Sequence, residues 1–191
     1  MTGNAAPSAI TRRRLLAAAT LTAAAAGLPA VAGAASGAPM KHVVLLGDSI
    51  FDNAAYVAGG PDVVAQLRDR LPAGWRATLG AVDGAVTGDV RRQLDRVPSD
   101  ASHLVVSVGG NDALGHAHVL DEGARSMAEA LDRLAGIRER FGRDYRAMLD
   151  AVLGRGLPTA VCTIYEARFP DSGRRRLAAT GLTIFNDRIT R

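Results

Sequence analysis

The chain has 191 residues, with 23 Lys and Arg against 19 Asp and Glu, a formal charge of +4 and one cysteine. A lone cysteine excludes a scaffold stapled by internal disulfides, and so small a charge excess is not the basic footprint of a nucleic-acid binder. A hydrophobic share of 48% with only 4% aromatic residues describes one ordinary domain whose core is built from Val, Leu, Ile and Ala.

The amino terminus reads as a targeting segment. Thr11-Arg12-Arg13-Arg14-Leu15-Leu16 opens an Ala-rich apolar stretch that ends in Ala30-Val31-Ala32 and Ala32-Gly33-Ala34, small-residue patterns of the kind a signal peptidase cuts. The segment resembles a twin-arginine export signal, which assigns residues 1–34 to export and 35–191 to a mature domain in the periplasm or outside the cell. A stable membrane anchor is not expected, because a spanning helix needs about 20 strongly apolar residues and this run is mostly Ala with Gly27 and Pro29 inside it. Met40-Lys41-His42 stands directly before the first strand, and translation from Met40 would instead leave a cytoplasmic protein. Removal of the segment takes three arginines and no acid, so the mature charge falls to +1.

In chain order, hydrophobic patterning and turn residues predict strand 42–47, helix 61–71, strand 75–82, short helix 89–97, strand 103–108, helical region 124–153, strand 158–165 and helix 173–190. Strict alternation of strands and helices predicts an α/β fold, a flavodoxin-like three-layer α/β/α arrangement around a parallel sheet. Gly136 and Gly142 are expected to divide the long helical region in two, since each costs about 1 kcal/mol relative to Ala inside a helix. Leu177, Leu182, Phe185 and Ile189 recur near helical spacing, so the chain stops within or just after an amphipathic helix that should deliver the next strand. The last strand of the sheet is therefore expected to be lacking from this chain. Cys162, between Val161 and Thr163, is expected to act as a small buried hydrophobe. Arg174-Arg175-Arg176 beside Gly173 reads as a solvated helix face.

Chemistry gathers at the strand ends. Val43-Val44-Leu45-Leu46 runs straight into Gly47-Asp48-Ser49-Ile50, which puts a hydroxyl at the carboxyl end of a buried strand, where parallel sheets bind ligands. Ser49 is a candidate nucleophile. Asp83-Gly84-Ala85-Val86-Thr87-Gly88-Asp89 follows the second strand, and Val105-Val106-Ser107-Val108-Gly109-Gly110-Asn111-Asp112 carries the third into a Gly-Asn turn. Ser, Gly and Asn in this order, each after a strand, resemble the SGNH superfamily of serine hydrolases, the GDSL esterases and lipases, across about 41–191.

The resemblance implies hydrolysis of a small-molecule ester through an acyl-enzyme, with no cofactor or metal. Ser49 would attack. The backbone N–H groups of Ser49 and Gly88 and the Asn111 side-chain amide would form the oxyanion hole, where each donor is worth about 3 kcal/mol in the transition state. Gly88 suits the task because it lacks a Cβ, and Asn111 because its amide donates without charge at any working pH.

The chain departs from the family pattern after Asn111, where no Asp-x-x-His supplies the general base and its orienting acid. His42 and His103 precede strands and fall at the opposite side of the sheet, in structural positions. His116 and His118 lie at the correct end, in the loop after Asn111, and are the substitute bases to weigh. Two competing functions remain: a non-catalytic relative binding an acyl or glycan ligand, and a magnesium phosphohydrolase using Asp48, Asp52, Asp83 and Asp112. The second leaves Ser49 and Asn111 unexplained, and Asp48 and Asp112 are expected to hydrogen-bond their own turns. Glu166 and Arg168 follow the fourth strand on the same rim, in reach of substrate or in solvated loop.

Overall fold

The computed structural model describes residues 40–166 and 168–191. The export reading of residues 1–34 lies outside them. Four strands, β1 (Lys41–Gly47), β2 (Trp75–Leu79), β3 (His103–Ser107) and β4 (Thr159–Val161), form one sheet in the order β2-β1-β3-β4. All three pairings are parallel, with Val43 opposite Ala77 and His103, and Leu104 opposite Thr159. The helices are α1 (Val63–Arg70), α2 (Val90–Leu94), α3 (Gly110–Gly115), α4 (Met127–Leu153) and α5 (Ser172–Ile189).

A strand buried on both faces has no polar side to show, which is why β1 is a continuous apolar run. Val44, Leu46, Leu104 and Val106 face one layer, packed against Val90 and Leu94 of α2, Ile137, Phe141, Tyr145, Met148 and Val152 of α4, and Phe185 of α5. Val43, Leu45 and Ala77 face the other, under Phe51 and α1's Val64. The sheet thus lies between two helical layers, as the alternation predicts.

The helix starts are set by side chains that accept otherwise unpaired N–H groups. Asp62 caps α1 through Ala65 N (2.7 Å), Ser126 caps α4 through Glu129 N (3.1 Å), and Asp171 caps α5 through Arg174 N (2.6 Å). Region 124–153 is not divided: α4 runs unbroken for 27 residues through Gly136 and Gly142. Tertiary burial overrides propensity here, because five side chains of α4 enter the core at helical spacing. Gly142 also has a packing reason, since a Cβ there would stand 3.0–3.3 Å from the Arg188 side chain of α5.

The fourth strand is shorter than predicted. Cys162 N–H still donates to Val106 O of β3 (2.8 Å), and beyond it the backbone turns to a side chain: Ile164 N–H donates to Asn186 Oδ1 (2.8 Å) and Asn186 Nδ2 donates to Ile164 O (2.9 Å). Cys162 lies just past the strand end, half-buried, with burial raising its thiol pKa. The two histidines at the amino ends are structural. His42 is 1% exposed, with Nε2 2.8 Å from Thr78 Oγ1 and Nδ1 3.2 Å from Asp100, which also pairs with Arg76. His103 packs against Trp75 with ring centroids 4.9 Å apart.

Candidate active site

The chain leaves β1 to one side for β2 and crosses to the other for β3, so the carboxyl ends of β1 and β3 flank the crevice where strand order reverses. Ser49 follows β1 and Asn111 follows β3. Gly47 makes the exit from β1 possible. Its φ is +126°, and a Cβ there would lie 1.8 Å from Ser107 O, so no other residue fits. Asp48 N–H then bonds Ser107 O (3.0 Å), and Phe51 and Asp52 N–H both return to Asp48 O (3.1 Å), closing a turn with Ser49 half-exposed at its tip.

Asp48 lies beneath that tip, 3% exposed, with Oδ1 accepting from Ile50 N (3.1 Å). Burial pushes its carboxyl pKa above the usual range, against the lowering effect of Ile50 N–H, and the charge of Asp112 adds to the rise. Asp48 thus bonds within its own turn as expected. Asp112 does not: its carboxylate reaches across to Thr87 N (3.0 and 3.3 Å). Its pKa is also raised, first by burial, with the Thr87 N–H opposing.

Gly88 sits in a single 3-10 turn, Thr87–Asp89, exposed, with nothing within 4 Å of where a Cβ would be. Asn111 lies in the first turn of α3 and donates one Nδ2 hydrogen to Ala85 O (2.9 Å). Asp112 and Asn111 therefore tie the loop carrying Gly88 to α3 through adjacent residues. The position of a Gly110 Cβ would be 3.8 Å from Asp48 Oδ2, which brings α3 to the Ser49 turn. Gly109 must be glycine as well, with φ +120° and a Cβ position 3.1 Å from Ile164 and 3.2 Å from Phe141.

Sequence reasoning missed the residue that joins the first two segments. Gln93 of α2 is 4% exposed and holds Gly47 from both sides: its Oε1 accepts Gly47 N–H and its Nε2 donates to Gly47 O, each at 2.8 Å. In Arg91-Arg92-Gln93-Leu94 it reads as a surface polar residue, and only the core spacing of Val90, Leu94 and Val97 could have placed it inward.

The acidic residues at the rim are each engaged by backbone or neighbours. Besides Asp48 and Asp112, Asp52 accepts from Asp83 N (2.8 Å), and Asp83 accepts from the Tyr56 hydroxyl (2.7 Å). Among the described residues no three His, Cys, Asp or Glu side chains are grouped to hold a metal ion. His116 follows α3, and His118 lies in the 3-10 turn Ala117–Asp121. His118 Nδ1 is 3.1 Å from Gly115 O, and its Nε2 is 3.8 Å from Glu122. Neither imidazole is hydrogen-bonded to Ser49.

Beside the Gly110 wall lies an apolar cavity of about 270 Å³, between α3, α4 and α5, lined by Leu114, Leu120, Leu134, Ile164 and Leu182. Arg174, His116 and Tyr165 also line it.

A parallel sheet with helices on both faces thus brings a serine turn, a glycine loop and an Asn-bearing helix to the carboxyl ends of its central strands. Residues 45–191 match the GDSL-like lipase/acylhydrolase family, and the chain belongs to that family of ester hydrolases. Two solved structures similar to it in fold are a phospholipase A1 from Streptomyces albidoflavus NA297 and the lipase Lip_vut3 from a goat rumen metagenome. The first is 22% identical, with a TM-score of 0.52, covering 80% of this chain and 75% of its own. The second is 16% identical, with a TM-score of 0.55, covering 78% and 74%. No curated protein sequence matches significantly.

Proposed function

We propose that this ester hydrolase works through an acyl-enzyme on Ser49. The Ser49 oxygen attacks the ester carbonyl carbon, the hydroxyl proton leaves to a base, and the carbonyl oxygen becomes an oxyanion received by Ser49 N–H, Gly88 N–H and the free Asn111 Nδ2 hydrogen. Collapse expels the alcohol, which takes up a proton, and water then releases the acid. The observation that carries this reading is the set of hydrogen bonds from Gln93 to Gly47, from Asn111 to Ala85 O and from Thr87 N to Asp112, which tie the three segments to one another. Preorganised donors of this kind need no rearrangement as charge develops. The acyl part of the substrate lies in the cavity beyond Gly110, and the Arg-rich, Ala-rich start of the chain directs export.

Among the described residues neither His116 nor His118 is hydrogen-bonded to Ser49. The second reading is a crevice that binds an acyl or glycan ligand without turning it over. A fluorophosphonate probe separates the two. Stoichiometric label lost in Ser49→Ala supports the nucleophile, whereas acyl-ligand binding without any label supports the binding module.

A further inference from the structure

We infer that Gln93 is a positioning residue for the reaction, setting the distance between the nucleophile and the Gly88 donor; this rests on the reading of Ser49 as nucleophile. Gln93 occupies a core-facing position of α2, flanked by Val90 at 0% and Leu94 at 5% exposure. An apolar side chain there would leave the buried Gly47 N–H without its acceptor, and a buried amide is itself tolerated only when its hydrogen bonds are made. Both are made, and both go to one residue, Gly47. Only one orientation of the amide satisfies an N–H and a C=O together, so Oε1 and Nε2 are assigned without ambiguity.

Holding the N–H and the carbonyl of the same residue fixes the peptide planes on either side of Gly47, whose +126° φ aims the chain into Asp48 and Ser49. Gly47 O also accepts from Val82 N (3.0 Å), so its carbonyl is held by the second strand's loop as well. The other end of the clamp is covalent. Gln93 lies five residues after Gly88, and α2 begins directly after the Thr87–Asp89 turn. The Ser49 turn and the Gly88 turn, which belong to different crossovers, are thereby joined through two hydrogen bonds and one helical turn. A shift of about 1 Å between reacting groups costs roughly 100-fold in rate, so a link of this stiffness acts on turnover and not on ligand affinity.

The test is the inactivation of the full chain by a fluorophosphonate, resolved into the rate of covalent reaction and the reversible binding constant, per folded molecule. Gln93→Leu should keep its fold and its binding constant while the covalent rate falls roughly 10- to 100-fold. Gln93→Glu adds a readout that packing alone would not move. Its buried carboxyl has a raised pKa, and once protonated it carries a donor and an acceptor like the amide it replaces. Its covalent rate relative to the wild type should therefore climb towards one as pH falls, while its carboxylate form is slow. An unchanged covalent rate in folded Gln93→Leu overturns the inference, as does a flat pH ratio for Gln93→Glu, which decides alone if Gln93→Leu does not fold. A wild-type chain that takes no label at Ser49 overturns the nucleophile reading itself, and the positioning role with it.

Discussion

In the proposed mechanism Asn111 divides its amide between structure and chemistry. One Nδ2 hydrogen is committed to Ala85 O at 2.9 Å, which aims the other. If Asn111 is a transition-state donor as proposed, Asn111→Ala should lower turnover about 100-fold or more with KM nearly unchanged in steady-state kinetics. A normal turnover with raised KM would place Asn111 outside the oxyanion hole. Gly109 is a different case, for its demand is steric. Gly109→Ala would strain a +120° φ and press a methyl to 3.1 Å from Ile164 and 3.2 Å from Phe141, with an expected loss of about 1–3 kcal/mol in denaturant unfolding. Both glycine-rich turns were legible in the sequence because they interrupt apolar runs. Gln93 was not, because nothing in a neighbouring pair of arginines announces a buried amide.

At the level of elements, α4 offers a paired experiment on why a sequence rule failed. Gly136 and Gly142 carry the same intrinsic penalty, yet their surroundings differ. A Cβ at Gly136 meets only the flexible Arg140 end at 3.5 Å, so Gly136→Ala should stabilise the protein by about 0.5–1 kcal/mol. Gly142→Ala runs into Arg188 at 3.0–3.3 Å and should give no gain until Arg188→Ala is combined with it. Equal gains from both single substitutions, measured by thermal or urea unfolding, would mean that α5 does not press on Gly142. The prediction of two helices came from summing local costs. It missed Phe141, Tyr145 and Phe185, whose packed rings, with centroids 4.9–5.3 Å apart, lie near or beyond the supposed break. On α5, Gly181 borders the cavity with nothing within 4 Å of a Cβ. Gly181→Trp should therefore depress hydrolysis of long-chain p-nitrophenyl esters relative to the acetate, while leaving Ser49 labelling intact.

For the molecule as a whole, stability depends on pH through groups buried at opposite ends of the sheet. Burial, then the Arg76 charge, lowers the His42 pKa from the usual 6.5. The unfolded chain consequently binds the proton first, so stability falls as pH drops through 6.5 and the loss is complete only below the folded pKa. Asp48 and Asp112 act with the opposite sign. Their raised pKa values mean that the folded state takes protons before the unfolded one, so their contribution improves as pH falls towards 3.8. Urea unfolding between pH 7.5 and 5.5 should thus show a decline that His42→Gln removes. A decline of equal size in that variant would assign it to other groups. The fold that sets these environments was readable from alternating strands and helices, since a parallel sheet covered on both faces follows from apolar strands that alternate with helices. Which histidine is sealed, and by what, was not readable, because Thr78 and Asp100 reach His42 from distant parts of the chain.

Gly47 leaves one evolutionary consequence. With Ser107 O where its Cβ would be, the residue answers first to the spacing of two strands, whatever the chain does with Ser49. A descendant of this gene released from selection for hydrolysis would still have to keep Gly47 and Gly109 in order to fold. Drift would show first at Ser49, and at whatever part of Asn111 the Ala85 bond does not require. Retained glycines in a homologue therefore testify to inheritance of the sheet, whereas under the proposed mechanism it is the hydroxyl and the amide that testify to a living enzyme.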